Sequence, residues 1–95
     1  MKKLRDFTGE RAFEVVSNLM GHIVDILRVE QNRNIDKVTR FEMMQKFLTN
    51  SPESMRCIFA ILTESDVDEF NPSAADIMKY TVDLISDDDF ISLFC

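Results

Sequence analysis

Between Ala12 and Leu27 the chain places its apolar side chains with the period of an α-helix. Ala12, Phe13, Val15, Val16, Leu19, Met20, Ile23, Val24, Ile26 and Leu27, advanced by roughly 100° per residue, fall within about half of a helical wheel. Glu14, Ser17, Asn18, His22, Asp25 and Arg28 take the other half. A strand alternates with a period of two, so this stretch commits the fold to a long amphipathic helix that other elements must cover. Thr8 is placed to cap it ahead of Gly9, and Phe7 and Ala12 have the spacing of a hydrophobic staple. Glu30 falls in the middle of the apolar face, so burial is expected to end near Val29. The polar run Gln31-Asn32-Arg33-Asn34 reads as a loop.

The remaining elements are expected to be helical too, because two glycines and two prolines among 95 residues leave little turn chemistry for hairpins. A second helix is read over 36–49, with Phe41, Met44 and Leu48 inward and Met43 and Phe47 on an adjoining strip. Ser51-Pro52 stops that helix and starts a third over 52–63, in which Ser51 caps, Pro52 takes the first helical position, and Met55, Ile58, Phe59, Ile61 and Leu62 face inward. An acidic loop follows, anchored by Val67 and Phe70. Ser73 caps a fourth helix over 73–85 with Ile77, Met78, Leu84 and Ile85 inward, where Thr81 can bond back to the Ile77 carbonyl. Ser86 is read as the cap of a short fifth helix over 87–94, whose Asp87-Asp88-Asp89 start suits the positive end of the helix dipole and whose apolar side is Phe90, Ile91, Leu93 and Phe94. The expectation is a single all-α domain, 1–95, of about five helices packed as an irregular bundle. At this length folding buries only about 60–65% of the extended chain's surface, so single core losses should be felt.

The net charge of −6 is unevenly distributed. Residues 1–50 hold nine Lys and Arg against seven Asp and Glu, whereas residues 51–95 hold two against ten. The acidic half repels phosphate backbones, and the first half has no basic cluster interleaved with aromatics, so nucleic acid is not an expected partner. Opposite-signed halves also suggest self-association, head to tail. Cys57 and Cys95 lack metal spacing and imply no disulfide framework. No apolar stretch follows Lys2 and Lys3 as in a signal peptide, and the longest apolar run, Cys57 to Leu62, is far short of the ~18 residues of a membrane span. A soluble, cytoplasmic protein without membrane contact is expected.

No catalytic constellation is present, so neither an enzyme nor a cofactor is expected. Asp66 and Asp68 match the first two ligands of an EF-hand loop, but Phe70, Asn71 and Ile77 occupy the positions that need a ligand, a glycine and a bidentate glutamate. His22 is the single histidine and is expected to be partly exposed and structurally neutral. Gly9 and Gly21 belong to no phosphate loop. Gly21 lies mid-helix on the polar face, where it costs about 1 kcal/mol relative to alanine; it is either a tolerated surface position or a place where another chain's backbone comes close. Six methionines and eight phenylalanines form a soft apolar complement suited to cores and to binding apolar segments. By the wheel, Met43, Phe47 and the terminal Phe90, Ile91 and Phe94 are the side chains least needed inside. These five, with Gly21, are the expected partner-binding residues.

The opening Leu4-Arg5-Asp6-Phe7-Thr8-Gly9-Glu10-Arg11-Ala12 before a long helix, and the close Leu84-Ile85-Ser86-Asp87-Asp88-Asp89-Phe90-Ile91-Ser92-Leu93-Phe94, resemble the small tail assembly chaperones of long-tailed bacteriophages, particularly those infecting Gram-positive hosts. Cys57-Ile58-Phe59-Ala60-Ile61-Leu62 and the acidic loop through Phe70 fall where that family has its central helix and following loop. The sequence departs at Asn71-Pro72-Ser73, which is polar where the family often has a proline in an apolar context. The resemblance implies an all-helical chaperone in the infected cell's cytoplasm, absent from the mature virion, that coats the tape measure protein, keeps it soluble and leaves as tail tube subunits polymerise. It further implies the major tail protein and a longer, frameshifted form of the chain as partners. Without the resemblance, the same patches describe a small helical adaptor or regulator that binds a host or transcription-related protein.

Overall fold

The computed structural model describes residues 1–30 and 39–94. Among them are a 3-10 turn, Leu4–Asp6, and five α-helices: α1 (Gly9–Glu30), α2 (Arg40–Asn50), α3 (Pro52–Leu62), α4 (Ala74–Ile85) and α5 (Asp88–Ile91). The domain is all-α, as the periodicity predicts. The expected loop at 31–34 and the expected start of the second helix at Asp36 lie outside the described residues, as does Cys95. The described α2 begins at Arg40, because Thr39 has an extended backbone and its Oγ1 accepts from the Glu42 N–H at 3.1 Å.

α3 is the axis of the core. Met55 and every residue from Cys57 to Leu62 are buried, so the expected inward face holds and widens to include Cys57 and Ala60. Ser51 starts the helix through its backbone: its N–H donates to the Phe47 carbonyl at 2.8 Å and its carbonyl accepts from Met55 at 3.0 Å. The other end closes in a Schellman turn, with Ser65 N–H on the Ala60 carbonyl and Glu64 N–H on that of Ile61. Glu64 takes the left-handed position (φ 58°) that glycine usually fills. Arg56 straps the acidic loop to α3, donating to the Val67 carbonyl at 2.7 Å and to the Phe70 carbonyl at 3.1 Å. Both expected anchors, Val67 and Phe70, pack against the core.

α1 lies against α3 and buries Val15, Leu19 and Ile26. Glu30 corrects the expected limit of burial: it is 3% exposed while Val29 is exposed. Its Oε1 accepts from the Asn50 side-chain amide at 3.0 Å, a polar partner that makes a buried carboxylate tolerable.

α2 is rotated relative to expectation. Met43, Met44 and Phe47 are buried, Leu48 is half-buried and Phe41 is exposed. The cause is the last turn of the chain. After α5 buries Phe90 and Ile91, Phe94 folds back so that its ring centroid is 4.8 Å from that of Phe47 and 5.3 Å from that of Phe90. These tilted aromatic pairs fill the space beside α2 and draw the Met43–Phe47 strip inward. α4 keeps the Ser73 cap as a full box with Asp76, and Thr81 Oγ1 donates to the Ile77 carbonyl at 2.7 Å. Its Leu84 is buried, Ile77 and Ile85 are half-buried and Met78, expected inward, is exposed. Asp87, not Ser86, caps α5, accepting from the Asp89 and Phe90 N–H groups; Ser86 Oγ instead donates to the Val82 carbonyl at the end of α4.

Candidate functional site

Burial in the core removes five of the six expected partner-binding residues from the surface. Met43, Phe47, Phe90, Ile91 and Phe94 all belong to the one hydrophobic core cluster. The wheel ranked them as spare because it treats each helix alone and cannot see that α2, α5 and the last turn supply one another's cover. Gly21 is exposed, and a Cβ added there would meet nothing within 4 Å.

Phe41, Met78, Val82 and Leu93 are exposed on other elements, but the longest row of exposed apolar side chains among the described residues is on α1. Phe13 is 83% exposed, Met20 57%, Val16 51%, Val24 40% and Leu27 39%. At roughly 100° per residue these five fall within an arc of about 80°, so they form one stripe about 21 Å long at 1.5 Å rise per residue. The buried Val15, Leu19, Ile26 and Glu30, with the half-buried Ala12 and Ile23, occupy the neighbouring arc. The apolar half-wheel therefore splits lengthwise. One half is spent on α3, and the other faces outward. Single exposed apolar side chains need no explanation, but a contiguous row along a two-thirds length of the longest helix is a recognised mark of an interaction surface.

The stripe has a defined charged margin. On the side away from α3 lie Ser17, then Glu10 and Arg28, then Gly21 and Glu14. Arg11 holds Glu14 at 2.8 Å, and Arg28 reaches Asp25 at 3.8 Å. Met20 stands at the centre of the stripe, with Ser17 beside it and charged side chains towards the ends.

Other candidate features have structural partners. The Asp87-Asp88-Asp89 run divides its carboxylates three ways: Asp87 caps α5, Asp88 accepts from Arg40 at 2.9 Å, and Asp89 accepts from Arg5 at 2.9 and 3.2 Å. Among the described residues no three His, Cys, Asp or Glu side chains are grouped to hold a metal ion, and no described helix is long and apolar enough to cross a membrane. His22 is half-buried. A groove of about 490 Å³ runs beside Leu48, Met55, Phe59, Pro72 and Ile77, but the charged groups lining it, Glu53 and Arg56, are joined to each other at 2.9 Å. Burial, followed by the negative Glu53, pushes the Cys57 thiol above its ordinary pKa, which keeps it protonated and a poor nucleophile. The chain matches no family model, no curated protein and no solved structure.

Proposed function

We propose that this chain is a binding module that shields an apolar segment of another protein, and specifically a phage tail assembly chaperone for the tape measure protein. The observation that carries the reading is the exposed row Phe13, Val16, Met20, Val24 and Leu27 on α1. A helix offering anchors at such spacing receives an amphipathic partner helix along its length, and long helical segments with apolar stripes are what a coiled tape measure presents. The resemblance of Leu4–Ala12 and Leu84–Phe94 to that family supports the choice of partner. The flexible thioether of Met20 at the centre of the stripe adapts to different partner side chains. A patch of this size favours reversible association, as a chaperone displaced by tail tube subunits requires. The net charge of −6 keeps the loaded complex soluble. The work is done by binding, in the host cytoplasm, without catalysis.

Co-expression with the tape measure protein is the test. Soluble yield and co-purification should rise with the chain present and fall with Phe13→Ser or Met20→Glu, while the variants' thermal unfolding stays within a few degrees of the parent. No gain in soluble tape measure protein overturns the assignment and leaves the adaptor reading of the same stripe.

A further inference from the structure

We propose that a second copy of this chain covers the exposed stripe of α1, the two helices running antiparallel about a two-fold axis at Met20. The sequence spacing carries the symmetry. From Phe13 through Val16, Met20 and Val24 to Leu27 the steps are three, four, four and three residues, the same read from either end. About a two-fold axis residue i meets residue j of the other copy while j meets i, so this spacing sets every apolar member of the row level with another apolar one. Antiparallel pairing in register sets Met20 on Met20, Val16 on Val24 and Phe13 on Leu27. A head-to-tail contact of the kind the charge asymmetry suggests would make no use of it.

The charged margin obeys the same symmetry. About such an axis, one flank of α1 lies beside the same flank of the other copy. Arg28 then stands level with position 12 of the second copy, between its Glu10 and its Glu14, and the reciprocal pair forms at the other end. Within one chain Arg28 is exposed and its contact with Asp25 is long, at 3.8 Å, so it is available for this exchange. Ser17 borders the middle of the interface, whereas Gly21, about 100° round the helix from Met20, stands outside it. The five side chains expose on the order of 500 Å² per chain, so through them the pair hides at most about 1,000 Å², near the lower bound of a specific interface. The dimer is therefore reversible, and it holds the apolar stripe out of water until a partner displaces one copy.

Sedimentation equilibrium of the full chain across the micromolar range should show a monomer–dimer equilibrium. Met20→Glu should weaken it roughly tenfold or more with unchanged helicity. Arg28→Glu should weaken it less, and adding Glu10→Lys with Glu14→Lys should restore it. In a Cys95→Ser background, Met20→Cys should crosslink to itself on oxidation, whereas Val16→Cys should crosslink to Val24→Cys in preference to itself. A monomer at all concentrations overturns the inference, as does a dimer indifferent to Met20→Glu, self-crosslinking of Val16→Cys, or growth beyond two copies. A monomer that still solubilises the tape measure protein removes the dimer alone; a dimer that fails to do so removes only the chaperone reading.

Discussion

The backbone N–H of Leu4 donates to Oδ2 of Asp87 at 2.9 Å, across a separation of 83 residues. The other oxygen of the same carboxylate caps α5 through the Asp89 and Phe90 N–H groups. One buried side chain therefore both starts the last helix and ties it to the first turn. Arg5 and Asp89 repeat the connection at the surface with two parallel hydrogen bonds, a fork geometry that fixes orientation.

Replacing Asp87 by alanine removes a helix cap and strands the Leu4 donor. The expected cost is about 2 kcal/mol, or a fall of roughly 10 °C in Tm for a domain of this size. Asp88→Ala, which loses only an exposed pair with Arg40, should cost clearly less. Urea denaturation of the two variants checks the order, and equal losses would refute the linking role of Asp87.

The two glycines should respond with opposite signs. Gly21 is helical with open space around it, so Gly21→Ala should stabilise the monomer by up to about 1 kcal/mol. Gly9 is also uncrowded but has φ +62°, so Gly9→Ala should destabilise by about 1–2 kcal/mol through backbone strain alone. Thermal unfolding of both variants at a concentration where the chain is monomeric decides it.

Aromatic side chains divide in the same way. Phe47→Ala should cost about 3–5 kcal/mol, since it opens a cavity against Phe94, and any loss of partner binding it causes should track loss of fold. Phe13→Ser should change monomer stability by no more than about 0.5 kcal/mol yet weaken partner capture. Denaturation and pull-down on the same preparations separate the two effects.

Acid should weaken the fold through two carboxylates. The hydrogen bond and charge of Arg5 hold Asp89 below its ordinary pKa, and Arg56 does the same for Glu53. A folded pKa below the unfolded one stabilises the native state above the ordinary carboxylate range, about pH 4, and that contribution is lost as pH falls through the depressed values. Both groups are exposed, so the effect is modest. The urea midpoint, followed from pH 7 to 3, should fall at the acid end and fall less in Arg5→Ala; an identical profile in that variant would exclude the Arg5–Asp89 contribution.

Local signals reached far into this fold. The Ser73 cap, Pro52 at the start of α3, the Thr81 back-bond and the inward face of α3 each depend on residues within one or two helical turns, and each is present. Where a side chain's surroundings come from elsewhere in the chain, the sequence misled. Met43 and Phe47 appeared spare because Phe94 is nearly fifty positions away, and Glu30 appeared unburiable because its partner Asn50 is on another helix. The stripe on α1 was visible as apolar residues but not as a surface.

That distinction sets the boundary between the two sources of information. The sequence by itself determined that residues 12–27 share one broad apolar half of a helix, because periodicity depends only on the geometry of the helix. Tertiary structure alone decided which part of that half stays open. α3 is a single helix that covers the arc through Val15, Leu19 and Ile26, and the neighbouring arc through Phe13, Met20 and Leu27 is left to solvent or to another chain.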